Sequence, residues 1–168
     1  MAGDVKPIPE GFHSVTPYLC INGASDAIDF YKKAFDAEEL IRIPSPDGTI
    51  GHAEIQIGDS RIMLSDESED MDFRSPPTIG GTPVHIYLYV EDVDRIFGQA
   101  IAAGAKELMA LEDQFWGDRT GTIVDPFGHR WYLSTHKEDL TEEELNARGT
   151  AFGRFVGGQR LRASETPR

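Results

Sequence analysis

The chain carries an internal repeat. Ile21 and Val90 stand 69 residues apart, and so do Arg61 and Arg130. Arg61-Ile-Met-Leu-Ser65 also shares its Arg, Leu and Ser in register with Arg130-Trp-Tyr-Leu-Ser134. Equal offsets at both ends of a unit mark a duplication, so whatever architecture one copy adopts the other adopts as well. The copies lie at about residues 12–66 and 82–136.

The second copy is the plainer of the two. His85 to Val90 reads as a strand, and Val93 to Ala103 as a helix that ends at Gly104, where a left-handed cap belongs. Lys106 to Ala110 is a short strand. Thr120–Val124 and His129–Thr135 are β-prone runs joined by Asp125-Pro-Phe-Gly128, a tight-turn sequence in which Pro presets φ and Gly accepts the left-handed position. In the first copy the spacing predicts a strand over 13–21 and a helix over 24–35. Ala27, Ile28, Tyr31, Ala34 and Phe35 recur there at helical intervals, and Ser25 or Asn22 is placed to cap the start. Strands follow over 37–43, 50–57 and 61–65. Both copies read βαβββ, and the predicted fold class is α+β, two βαβββ modules.

Residues 1–11 are Pro-rich and polar and read as a flexible leader; 66–81 read as a linker. In 137–168, Thr141 and Glu144 stand in capping-box register, predicting a short helix to about Arg148 that Gly149 stops. A basic tail carrying Arg154, Arg160, Arg162 and Arg168 follows as a solvated extension.

A chain of 168 residues can bury one good core, or two small units sharing one. The net charge of −13 argues against nucleic acid, whose phosphates reward a basic face. No apolar run approaches the ~18 residues of a membrane span, and the N-terminus lacks the apolar stretch of a signal peptide. The single cysteine, Cys20, excludes an intrachain disulfide and a cysteine-cluster zinc site, and its apolar neighbours suggest an inert thiol. A cytoplasmic protein is expected, with no nucleic-acid or membrane partner.

Strand alternation sorts the side chains. If His85 faces inward so do Tyr87 and Tyr89, while Ile86, Leu88 and Val90 pack on the helix. His52, Glu54 and Gln56 share a face, as do Arg61, Met63 and Ser65, and again Arg130, Tyr132 and Ser134. A concave surface with this many polar groups needs water, a ligand or mutual pairing to satisfy them. His13, His129 and His136 lie at strand ends and are expected to be exposed. No nucleophile elbow, phosphate loop or glycine-rich cofactor cradle is present.

Val15-Thr-Pro-Tyr-Leu, Ala27-Ile-Asp-Phe-Tyr-Lys-Lys-Ala-Phe35, Gly51-His-Ala-Glu, Trp116-Gly-Asp-Arg119 and Asp125-Pro-Phe-Gly-His-Arg-Trp131 occur in that order, each in the element where it belongs. Together they resemble the vicinal oxygen chelate superfamily, the glyoxalase / bleomycin-resistance / extradiol-dioxygenase group, and within it the PhnB-like branch. The resemblance covers residues 13–136 and implies that each module curls into half a barrel. It also implies that metal-dependent members place four ligands on the first and last strands of each module. Carried over, those positions are Thr16, Met63, His85 and Tyr132, of which only His85 is a good ligand for a borderline divalent ion.

Two readings of the polar face stay open. His52 and Glu54, with His85, could hold a rearranged divalent metal; equally, they could pair with Arg61 or Arg130 as a structural network. Trp116 and Arg119 could stack on and clamp a flat acidic ligand, or Trp116 could plug the barrel end while Arg119 pairs with Asp118 or Asp125. The expected ligand-binding set is Tyr18, His52, Gln56, Arg61, Met63, His85, Tyr87, Trp116, Arg119, Arg130 and Tyr132. Any catalysis is expected from Glu54 or His85 as base, with Arg119 or Arg130 as anion clamp. His52, Glu54, His85, Trp116, Arg119 and Tyr132 are expected to converge on one pocket. The function expected is small-molecule binding by a homodimer with no cofactor. The alternative is a lyase, isomerase or dioxygenase acting metal-free or with the rearranged metal site.

Overall fold

A computed structural model describes residues 5–163. The first module comprises β1 (Tyr18–Ile21), α1 (Ala24–Phe35), β2 (Glu38–Pro44), β3 (Ile50–Ile57) and β4 (Ser60–Asp66). A short helix α2 (Pro76–Ile79) leads to the second: β5 (His85–Tyr89), α3 (Val93–Ala103), β6 (Lys106–Asp113), β7 (Asp118–Val124) and β8 (Arg130–His136). Helix α4 (Glu142–Ala163) follows. The βαβββ order holds in both copies. Each module is a four-stranded mixed sheet, β1-β4-β3-β2 and β5-β8-β7-β6, with its first strand parallel to its last.

The duplication reaches the helix starts. Neither Ser25 nor Asn22 caps α1; Gly23 takes the cap position with φ 92°. Asp66, at the end of β4, accepts from the Gly23 and Ala24 amides at 2.9 and 2.8 Å and from the Ile50 amide at 2.7 Å. The repeat-equivalent residue, Thr135 at the end of β8, accepts from the Val93 amide at 2.9 Å and donates to the Val90 carbonyl. In each module a side chain on the last strand satisfies amides that the first turn of the helix leaves without partners.

One core joins the modules. Trp131 on β8 is fully buried against α1, its ring 5.5 Å from Tyr31 and 4.7 Å from Phe35. Asp125, in the β7–β8 turn, accepts from the Tyr31 hydroxyl at 2.8 Å, the Trp131 indole at 2.9 Å and the amides of Phe127 and His129. Burial, and then the neighbouring carboxylate, push the Tyr31 phenol well above its ordinary value. Gly121 on β7 lets the sheet approach α3: a Cβ there would lie 2.6 Å from the Phe97 ring.

Three expectations need correction. The first strand begins at Tyr18, not His13, because Pro17 cannot donate to a ladder. His129 is buried rather than exposed, with its Nε2 3.0 Å from the Cys20 carbonyl. The C-terminal helix does not stop at Gly149 but runs on to Ala163. The capping box forms as read: the Thr141 amide donates to Glu144 and the Glu144 amide to the Thr141 hydroxyl. A mid-helix glycine costs only about 1 kcal/mol, and here the next turn is anchored by Phe152 stacked 5.0 Å from Phe115. Residues 5–11 are exposed, and Phe12, which follows them, lies against Arg61. The leader's first four residues and the tail's last five lie outside the described residues.

Candidate ligand-binding face

Each sheet turns one face to the shared core and the other outward. On β3 and β4, Ala53, Ile55, Ile57, Ile62 and Leu64 are buried toward the helices; on β7 and β8, Ile123, Trp131 and Leu133 are. The residues between them make up the two open faces, as alternation requires.

The open face of module 2 is aromatic. Tyr87 and Tyr132, paired in the β5–β8 register, stack at 5.4 Å with only 7° between their planes. His85 lies 5.4 Å from Tyr132, and Tyr89 lies 4.9 Å from Tyr87. Behind the stack sits Asp118, only 3 % exposed. Its Oδ2 accepts from Tyr89 at 2.8 Å, the Trp116 indole at 3.1 Å and Tyr87 at 3.2 Å, while its Oδ1 faces His136 Nδ1 at 2.8 Å. Burial raises this carboxyl's pKa, but the donors, His136 foremost, outweigh burial and hold it below the ordinary range. Burial and the Asp118 contact push the Tyr89 phenol upward. The Tyr87 hydroxyl also bonds Ser134 at 2.8 Å, and Ser134 bonds Thr120 at 2.6 Å. A carboxylate with four donors is a poor base; its effect is to fix Trp116, Tyr87 and Tyr89 in place.

Asp118 was absent from the sequence-derived set, and Arg119, which that set included, falls on the other face of β7. In the β7–β8 register Asp118, Thr120 and Thr122 fall on the open face, while Arg119 falls on the helix side. Arg119 donates to both oxygens of Asp94 at 2.8 and 2.7 Å and reaches Asp113 at 3.3 Å, so it fastens α3 to β6. It pairs with neither Asp118 nor Asp125. The alternation applied to the other strands separates Asp118 from Arg119 once β7 is started at Asp118 rather than at Thr120.

Module 1 carries a different set. Tyr18 bonds His52 Nδ1 at 3.0 Å and takes the edge of Phe73 at 5.4 Å. His52 Nε2 lies 3.5 Å from Glu54, which lies 3.5 Å from Arg61. This is the pairing network of the two readings, made with Arg61. Gln56 turns to its own hairpin, donating to the Gly58 carbonyl at 3.0 Å. Met63 lines a cavity of about 520 Å³ roofed by the leader. Along the seam between the modules a cleft of about 540 Å³ brings Tyr18, Cys20, His85, Tyr87 and His129 together. Cys20 there is buried, and burial, with Glu67 and Asp66 adding to it, raises its thiol to about 11. The six residues expected in one pocket are therefore split. His52 and Glu54 stand on module 1, His85, Trp116 and Tyr132 on module 2, and Arg119 on the helix side.

The positions that would hold the metal do not fit one. Thr16 donates its hydroxyl to the His13 carbonyl, Met63 offers a thioether, and Tyr132 is stacked between Tyr87 and His85. A neutral hydroxyl, a neutral phenol and a thioether are weak donors for a hard or borderline divalent ion. Among the described residues no three His, Cys, Asp or Glu side chains are grouped to share an ion, so His52, Glu54 and His85 do not assemble within one chain. No helix among the described residues is long and apolar enough to cross a membrane.

The fold and these positions define the class. The profile of the Glyoxalase/Bleomycin resistance protein/Dioxygenase superfamily matches residues 11–133, and the chain belongs to that superfamily. Its relatives include the uncharacterized protein Rv0887c of Mycobacterium tuberculosis, 44% identical over 156 residues that cover 91% of this chain and 88% of the relative. Among solved structures, TioX from Micromonospora sp. ML1 superposes with a TM-score of 0.59 at 28% identity, covering 77% of this chain and 100% of TioX. The PhnB protein from Bacillus cereus, described as a putative 3-demethylubiquinone-9 3-methyltransferase, shares the fold with a TM-score of 0.58 at 21% identity, covering 73% of this chain and 99% of its own.

Proposed function

We propose that the protein binds a small planar molecule bearing an acidic group on the open face of module 2, without the superfamily's metal. The observation that carries this is the Tyr87–Tyr132 stack held from behind by Asp118. It is a row of aromatic rings fixed in advance, whose groups have little rotamer freedom left to lose on binding. Arg130 follows from the same strand alternation. It is exposed, paired in register with His85, and makes no ion pair among the described residues, so its guanidinium is free to take a carboxylate or phosphate edge. Of the two arginines that the sequence offered as anion clamp, Arg130 is the one on this face.

The proposed state is a cytoplasmic homodimer. Ile41 and Ile43, register partners of Glu54 and His52, are 42% and 53% exposed on the open face of module 1. Met109 is 49% exposed on that of module 2. A second copy that packs on Ile43 and Met109 removes apolar surface from water.

Fluorescence titration tests the binding. Of the two tryptophans, Trp131 is fully buried and Trp116 is part of the binding face. Titration with 2-naphthoate as probe is expected to quench Trp116 saturably, and Arg130→Gln or Tyr132→Ala to weaken that binding at least tenfold. Binding unaffected by either substitution contradicts the proposal.

A further inference from the structure

We infer that each chain carries a second site for the same class of ligand on module 1, occluded by its own leader, with Phe12 lying where a ligand's flat ring would lie. The inference rests on the ligand class proposed above. It starts from the duplication. Arg61 and Arg130 occupy the same position on the last strand of their modules, and the repeat matches Tyr18 with Tyr87 and Met63 with Tyr132. The two arginines meet different surroundings. Arg130 is exposed and without an ion pair among the described residues, whereas Arg61 is covered.

The Phe12 ring sits 4.6 Å from the Arg61 guanidinium, a cation–π contact with the geometry that an aromatic ligand would use. The attachment is thin. Across residues 5–15 every residue is exposed except Phe12, which is half-buried. Gly11 makes the seating possible: it has a φ of +81°, and a Cβ on it would lie 2.7 Å from Arg61 Nη2. The leader does not satisfy the cation fully, since Arg61 Nε is buried with no hydrogen-bond partner. A phenyl ring cannot accept there as an oxygen can; a ligand carboxylate would. Beneath the leader, Ile41, Glu54 and Met63 line a cavity of about 520 Å³, within the range that holds a small molecule. Glu54, 3.5 Å from Arg61, competes with an acidic ligand, so the occluded site is the weaker of the two.

Calorimetric titration of the full-length chain with 2-naphthoate tests this. The unmodified chain is expected to take one equivalent per chain. The full-length double variant Gly11→Val/Phe12→Ala, which drives the leader off Arg61, is expected to take two, the second at least tenfold weaker. Adding Arg61→Gln to that variant is expected to restore one. Far-UV circular dichroism checks that each variant is folded; if the double variant is not, Phe12→Ser alone gives the same reading. A folded variant that still takes one equivalent overturns the inference, as does an unmodified chain that already takes two. If the unmodified chain takes none and the variant takes one, the module 2 proposal fails while the occluded site stands.

Discussion

Asp125 and Asp118 are buried carboxylates on the same hairpin, and each gathers donors from distant parts of the chain. Asp125 ties Tyr31 of the first module to Trp131 of the second. Asp125→Ala leaves a buried phenol and a buried indole unpaired, at about 1–3 kcal/mol each. A clear fall in melting temperature is the expected outcome, and a melting temperature equal to that of the unmodified chain would contradict it. His136 makes a different demand. Its Nδ1 faces Asp118 at 2.8 Å and its Nε2 faces Asp139 at 3.1 Å, and two carboxylate acceptors require both ring nitrogens to carry protons. Bonding to Asp118 and then to Asp139 raises its pKa above 6.5. A group whose folded pKa is raised contributes stability that is fully present below its unfolded value and lost as pH climbs through the folded one. Melting temperature should therefore decline as pH rises from 6.5, and His136→Gln should flatten that decline. At this scale the sequence was readable wherever alternation was anchored, as at Tyr87 and Tyr132. It was not readable at Asp118 and Arg119, where starting β7 two residues early or late decides whether the alternation is applied to them at all.

Among the elements, the hairpins and helices α1 and α3 were legible because their apolar spacing matches what the core demands. The ends of elements were less so, because distant side chains determine them. Asp66, far along the chain, meets the α1 amides that Ser25 and Asn22 leave alone. Phe115 anchors the α4 turn beyond Gly149, a contact no local pattern announces. Two glycines should respond in opposite directions. Gly149 does not take a positive φ, and a Cβ on it would rest 3.4 Å from the Phe115 ring, an ordinary contact. Gly149→Ala is expected to stabilise the protein by about 0.5–1 kcal/mol through helix propensity. Gly121→Ala places a Cβ 2.6 Å from the Phe97 ring and 3.2 Å from Leu111, and overpacking of that kind costs about 1–3 kcal/mol. Denaturant melts of the two variants check both signs. Stabilisation by Gly121→Ala would mean that α3 does not press on β7 as described.

For the molecule as a whole, the duplication carried most of the information that the sequence held. The βαβββ order and the two faces of each sheet follow from it, whereas the four metal positions, three without good donors, are what the family resemblance implies. How the modules are disposed does not follow, because Trp131 against α1 and Phe12 against Arg61 are contacts between segments far apart in the chain. The central claim is that this member of the superfamily holds a small molecule on an aromatic face where metal-dependent members hold an ion. Native mass spectrometry of protein purified without chelator tests it most directly, since one spectrum reports subunit count, metal and bound organic molecule together. The expected result is a species of twice 18.6 kDa that carries no transition metal and takes up 2-naphthoate when it is added. About one zinc, nickel, manganese or iron per chain, lost on His85→Ala, would contradict it.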